Sequence, residues 1–226
     1  MILSVYPQAI RVGENTQVLS AAVKTTIQTT KTCYGTPTVV SAEALSDSRV
    51  RVTWTPVTGK NSSISATKYT VQYALNGKWK NATTSATGTS YTISKLTGAT
   101  EYEIRICASK DTKFNASAYS DSVTARTNFA VPKISSVASK VSGSAVVTWT
   151  PGSGQLASKY ELAYRVVGTE TWTTTEISST AKKIVHTLPG LASGSACEFR
   201  VRALSLQPDL FADSAFSAVK KLAKVK

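Results

Sequence analysis

The residues able to do acid–base, nucleophilic or metal chemistry are few and scattered. The only histidine, His186, stands in the stretch Lys182–Leu188, two residues from both Ile184 and Leu188. An acid–base dyad or triad needs an imidazole in a cleft, beside a nucleophile and an orienting carboxylate. His186 sits among apolar strand positions and reads as structural. Glu101 and Glu103 flank Tyr102 and point to solvent on one side of a strand, whereas the carboxylates of a glycosidase face each other across a cleft. The cysteines Cys33, Cys107 and Cys197 are odd in number and lack metal-ligand spacing. Strand alternation sets Cys107 outward and Cys197 inward, in different parts of the chain, so neither a structural disulfide nor a metal site is expected. A glycine-rich phosphate loop is also absent. No catalytic residue and no cofactor is expected, and the chain reads as a non-enzyme.

Charge is the next candidate for chemistry. The formal net charge is +13, divided as +2 in residues 1–36, +5 in 37–130 and +6 in 131–226. Spread in this way it favours solubility and a general attraction to acidic surfaces. Arg49, Arg51 and Arg105 take outward strand positions and suit polyanions, or simply a solvated face. Specific nucleic-acid recognition would add a readable helix or interleaved exposed aromatics, and the sequence has neither. The hydrophobic fraction is 42%, far from that of a disordered chain. No apolar run approaches the roughly 18 residues of a membrane span. The opening Met-Ile-Leu-Ser-Val-Tyr-Pro lacks the basic and apolar regions of a signal peptide.

The elements that must carry these side chains are strands. In Glu101–Ser109, Tyr102, Ile104, Ile106 and Ala108 share one face while Glu103, Arg105 and Cys107 share the other, the period of two of a half-buried strand. Arg49–Trp54 alternates with Val50, Val52 and Trp54 inward, and Lys68–Leu75 with Tyr69, Val71 and Tyr73 on one face. Pro37 precedes a short edge strand, Thr38–Leu45. Asn76-Gly77 is a tight-turn signal, because both residues accept positive φ, and the chain continues from Trp79 to Thr84. Thr89–Leu96 and the closing strand Tyr119–Thr127 complete seven short strands. This pattern predicts a β-sandwich.

The scheme then repeats. Trp149-Thr-Pro151 answers Trp54-Thr-Pro56, Tyr160 to Tyr164 answers Tyr69 to Tyr73, and Trp172 answers Trp79. Trp54 and Tyr102 are 48 residues apart, as are Trp149 and Cys197. Leu96 precedes Tyr102 by six residues, as Leu191 precedes Cys197. The period is 95 residues. Residues 1–36 are harder to read. Leu19–Thr26 is similar to Phe216–Lys221, so this segment is either the closing strand of a preceding module or an extension.

Trp-Thr-Pro, Tyr-x-Val/Leu-x-Tyr, Gly-x-x-Trp or a close variant, and Leu-x5-Tyr-x-Ile-x-Ile-x-Ala together resemble the fibronectin type III module. The resemblance covers about 37–127 and 131–226. It implies an all-β fold, two tandem seven-stranded antiparallel sandwiches of immunoglobulin-like type, behind an N-terminal extended segment. It also implies a tyrosine corner at Tyr102, whose hydroxyl bonds backbone upstream. Cys197 holds that place in the second copy, where the missing ring volume is either filled by neighbours such as Leu188 or Leu191 or left as a costly cavity. The Trp-Ser-x-Trp-Ser box of cytokine receptors and the Arg-Gly-Asp tripeptide are absent.

Contact residues are expected on loops, where a rigid scaffold can present them. The loops after the second and sixth strands of each copy carry Phe114 in Lys110–Ala118, and Leu206, Leu210 and Phe211 in Ser205–Ala215. Phe211 or Leu210 can cover the joint with the first copy, across a short linker fixed by Pro132. Asn61-Ser-Ser, Asn81-Ala-Thr and Asn115-Ala-Ser match the glycosylation acceptor pattern. The resemblance implies a non-catalytic spacer and protein-interaction module of a larger surface or secreted protein, placed outside the cell or at its surface. The alternative is an accessory polysaccharide-binding module of a carbohydrate-active enzyme or a phage structural protein. Partners would be neighbouring domains of the same protein, with another protein or an acidic polysaccharide beyond them.

Overall fold

The computed structural model describes residues 31–154 and 157–226. The Leu19–Thr26 similarity lies outside the described residues, as does the middle of the loop after Pro151. Among the described residues there are fourteen strands and no helix, so no helix is long and apolar enough to cross a membrane.

The strands run β1 (Val39–Ala44), β2 (Val50–Trp54), β3 (Tyr69–Leu75), β4 (Lys78–Ala86), β5 (Ser90–Ile93), β6 (Glu101–Ala108) and β7 (Val123–Arg126). The second series is β8 (Lys133–Ala138), β9 (Ser144–Thr150), β10 (Lys159–Val166), β11 (Thr173–Ser178), β12 (Ile184–Pro189), β13 (Cys197–Leu204) and β14 (Lys220–Leu222). The first series makes a three-stranded sheet in the order β1-β2-β5 and a four-stranded sheet in the order β4-β3-β6-β7. The second repeats it, β8-β9-β12 facing β11-β10-β13-β14. Every strand pair is antiparallel. The all-β double sandwich expected from the alternation and the repeat is the fold observed.

Each core lies where the two inner faces meet. In the first, Val50, Val52, Val71, Ile104 and Ile106 are fully buried around Trp54, whose ring lies 5.3 Å from that of Tyr69. In the second, Trp149 is 5.9 Å from Tyr160 within a core of Val147, Leu162, Phe199 and Val201. The repeat extends to irregularities. β1 shifts register between Val39 and Ser41, and β8 between Ile134 and Ser136, the same place one period on. Such a bulge bends an edge strand away from further pairing. Asn76 and Gly77 have φ of 51° and 72°, as the turn between β3 and β4 requires.

The closing strands are shorter than their apolar patterns suggest. β7 begins only at Val123. Ahead of it, Ser117 and Ser120 bond the open side of β6 by both backbone and hydroxyl. Their oxygens accept the N–H groups of Ala108 and Ile106 at 2.9 and 3.0 Å. Ser214 and Ser217 do the same for Ala203 and Val201 at 2.8 and 3.1 Å. The repeated Ser-Ala-Tyr/Phe-Ser carries this signal, and alternation alone passes over it.

The tyrosine corner is present. The Thr97 N–H donates to the Tyr102 hydroxyl at 2.8 Å. At the equivalent place Cys197 is fully buried, its Sγ 3.6 Å from Ser195 Oγ. Leu188 and Leu191 share its core cluster, and so does Val225, which alternation had not placed there. The final residues lie along this end of the sandwich. Gly194 N–H donates to Val225 O and Val225 N–H to Ser195 O, both at 2.8 Å. Backbone bonds thus take the place of the phenol.

Candidate functional site

The loop-bearing poles of the two sandwiches are built alike. Tyr34 and Phe129 each stand three residues ahead of a proline, Pro37 and Pro132. Each brings its ring into the pole of the sandwich that follows. Tyr34 is buried, its ring 4.9 Å from that of Phe114. Its hydroxyl donates to Asp111 Oδ2 at 2.5 Å, and Asp111 Oδ1 accepts the N–H groups of Lys113 and Phe114, both at 2.7 Å. The bond from Tyr34, with those from Phe114 and Lys113, holds the Asp111 carboxyl below its usual range. Burial, with Asp111 beside it, pushes Tyr34 up to about 12. The lead-in backbone is clamped from both sides. Asn115 N–H donates to Thr32 O, Tyr34 N–H to Asn115 O, Gly35 N–H to Thr58 O and Lys60 N–H to Cys33 O.

At the second pole the lead-in segment is the end of the first sandwich. The Phe129 ring lies 6.0 Å from that of Phe211, and Phe129 N–H donates to Ala212 O at 3.2 Å. The turn ahead of β6 closes against this pole, and Ala99 belongs to the second core cluster. Ala99 N–H donates to Asn128 O at 2.8 Å. Gly98 and Gly154 meet so closely that a Cβ on Gly154 would overlap the Gly98 carbonyl, and one on Gly98 would stand 2.9 Å from Ala130 Cβ. Gly154 also holds φ of +99°, a conformation that side chains disfavour.

Of the four loop residues singled out from the sequence, Phe114 is buried against Tyr34 and Phe211 is half-buried against Phe129. Leu206 and Leu210 are exposed, and Leu206 helps line a small cleft of about 230 Å³ beside Phe129 and Phe211. The structure therefore groups these residues into two poles rather than one patch. The lead-in aromatics Tyr34 and Phe129 were missed. Their common spacing to Pro37 and Pro132 is the signal that could have found them.

Two outward assignments need correction. Cys107 does point away from the core, yet it is only 5% exposed. Tyr119 hydrogen-bonds it, and burial pushes its thiol up. Arg105, expected on an open face, is half-buried, its guanidinium 3.9 Å from the Trp79 ring centre and 4.3 Å from that of Tyr119. Arginine stacked on aromatics roofs the outer face of the four-stranded sheet. The second sandwich has the same roof, with Arg200 at 4.1 Å from both Trp172 and Phe216. There Arg165 and Lys221 hold Glu198 at 2.7 and 3.1 Å, and Arg165 above all draws its carboxyl below the usual range. Arg49 and Arg51 are exposed as expected.

His186 is half-buried, and burial lowers its basicity. Among the described residues, no three His, Cys, Asp or Glu side chains gather as metal ligands would. All three cysteines are free, with Cys33 exposed.

Residues 35–125 match the family model for the fibronectin type III domain. Neogenin of Rattus norvegicus is 30% identical over 177 residues, which are 74% of this chain and 12% of neogenin. Among solved structures, a two-domain fibronectin type III segment of chicken tenascin is 19% identical, covering 83% of this chain and 99% of its own, with a TM-score of 0.48. The FN1–FN3 domains of chicken CNTN1 are 16% identical, covering 87% of this chain and 69% of theirs, with a TM-score of 0.38.

Proposed function

We propose that this tandem pair of fibronectin type III domains, the family to which the chain belongs, is a rigid spacer and interaction module within a larger protein outside the cell or at its surface. Domains at 37–127 and 131–226 would be held at a fixed angle and distance. The observation that carries this reading is the joint. Phe129 packs on Phe211, the backbones of Gly98 and Gly154 touch, and Ala99 enters the core cluster of the second sandwich. A flexible tether would leave such groups in water, whereas here apolar burial and close backbone contact oppose bending.

The first pole supports a longer array on the same plan. Tyr34 is received there as Phe129 is received at the second pole, so residues 1–36 read as the end of a preceding module and its linker. Leu206 and Leu210, left exposed beside the joint, are the apolar positions we assign to contact with another protein.

Small-angle scattering of the chain tests the spacer. One elongated conformation is expected, with a narrow range of interdomain distances between spin labels on the two domains. The double variant Phe129→Ser, Phe211→Ser should widen that range. A broad distribution in the parent chain, unchanged in the variant, would overturn the reading.

A further inference from the structure

A cavity of about 350 Å³ opens at the end of the first sandwich nearest the joint, between the β3–β4 turn and the turn ahead of β6. Its size falls within the range of small-ligand sites, commonly about 300–1,000 Å³. Leu96, Tyr73 and Tyr102 form its floor, and Lys78, Lys80 and Lys95 stand around it. No carboxylate lines it, and none of the three lysines makes an ion pair among the described residues. Arg126 and Arg165, by contrast, are neutralised by Glu101 and Glu198.

The floor adds hydrogen-bond donors. Tyr102 spends its hydroxyl oxygen as the acceptor for Thr97 N–H, which leaves its own O–H to give. The Tyr73 ring packs edge-on against Tyr102 at 5.8 Å; Tyr73 is half-buried and lines the cavity, and its hydroxyl has no partner among the described residues. Three ammonium groups and two phenols are a lining rich in donors. Its complement is a ligand rich in acceptors and negative charge, with a polar body large enough to fill the space.

We propose that this cavity binds a sulfated sugar unit of an acidic polysaccharide. The sulfate oxygens would take the lysine ammoniums, and the ring oxygens and hydroxyls would meet Tyr73 and Tyr102. A bare sulfate or phosphate ion could use the same lysines but would leave most of the cavity unfilled. A nucleic-acid strand would need an open aromatic face for its bases to stack on, whereas here Tyr102 is buried and the two rings are engaged with each other, edge to face. The site does not depend on the rigidity of the joint, so it stands or falls apart from the spacer reading.

The test is titration calorimetry of the whole chain with a sulfated tetrasaccharide cut from heparin, at 50 mM and 200 mM NaCl. Saturable binding weakened by salt is expected. The variant Lys78→Gln, Lys80→Gln, Lys95→Asn keeps a residue tolerant of positive φ at position 95, where φ is 63°. It should weaken binding by about tenfold or more, on the order of 1.4 kcal/mol. A control that removes the same charge elsewhere, Lys140→Gln, Lys182→Gln, Lys183→Gln, should change it less than about twofold. Tyr73→Phe keeps the ring packing and removes one donor, so about threefold weakening is expected even if the lysine variant folds poorly. Equal losses in pocket and control variants would overturn the proposal. So would unchanged affinity in Tyr73→Phe, or displacement of the tetrasaccharide by inorganic sulfate at equal sulfate concentration.

Discussion

Tyr34 and Phe129 occupy equivalent positions one sequence period apart, and each caps the sandwich that follows it with an aromatic ring. One ring rests on Phe114 and the other on Phe211. The two poles nevertheless differ in what else holds them. At the first, the phenol of Tyr34 adds a bond to a carboxylate, and at the second Phe129 can make none.

That difference gives the first pole a pH dependence. Asp111 is held below its ordinary range, so its contribution is whole above the usual carboxylate pKa of about 3.9 and fades as pH falls through the folded value. Tyr34 is raised to about 12, so its contribution is whole below its unfolded value of about 10 and is lost as pH climbs toward 12. Melting of the first sandwich should show both limbs. In Tyr34→Phe the loss between pH 10 and 12 should shrink, which a calorimetric pH series would read.

Trp54 and Trp149 anchor their cores. Replacing either by alanine should cost about 3–5 kcal/mol, enough to unfold a domain of ordinary stability. Urea unfolding of each variant should show the affected sandwich lost and the other retained.

The serine hydroxyls along β6 and β13 are structural partners of buried amides. Ser120→Ala leaves Ile106 N–H without its side-chain acceptor, and Ser217→Ala does so for Val201. Each should cost about 1–3 kcal/mol. Hydrogen exchange should quicken first at Ile106 or Val201, ahead of the rest of its strand.

Thiol labelling of the native chain should rank Cys33 first, with Cys107 and Cys197 both slow. Cys33 is exposed and the other two are buried. Cys197→Tyr should destabilise the second sandwich, by about 1–3 kcal/mol, because Val225 already fills that end of the core. Mass spectrometry after timed alkylation, with a melt of the tyrosine variant, reads both.

Much of this architecture was legible because a strand with one buried face writes its period into the sequence. Val50, Val52 and Trp54 could be placed inward without coordinates, and the matched Trp-to-Tyr/Cys interval disclosed the second copy. What alternation could not show was a second layer of burial. Cys107 and Arg105 point outward as their positions require, yet Tyr119 and Trp79 fold over them. The roof depends on long side chains reaching across neighbouring strands, which a period of two does not encode. The poles were half legible. Phe114 and Phe211 announced themselves as apolar loop residues, but the rings that cover them come from lead-in segments 80 and 82 positions earlier.

The joint also sets how the chain would respond to a pull along its length. The bonds from Asn128 N–H to Ser46 O, from Ala99 N–H to Asn128 O and from Phe129 N–H to Ala212 O are few, and the linker they pin carries any tension passed between the sheets. They would part before the β3–β6 and β10–β13 ladders, whose many hydrogen bonds share the load. Freeing residues 128–131 would release less than their full reach of about 14 Å at roughly 3.5 Å per residue, since part of it is already spanned, a short mechanical give that leaves both sandwiches folded.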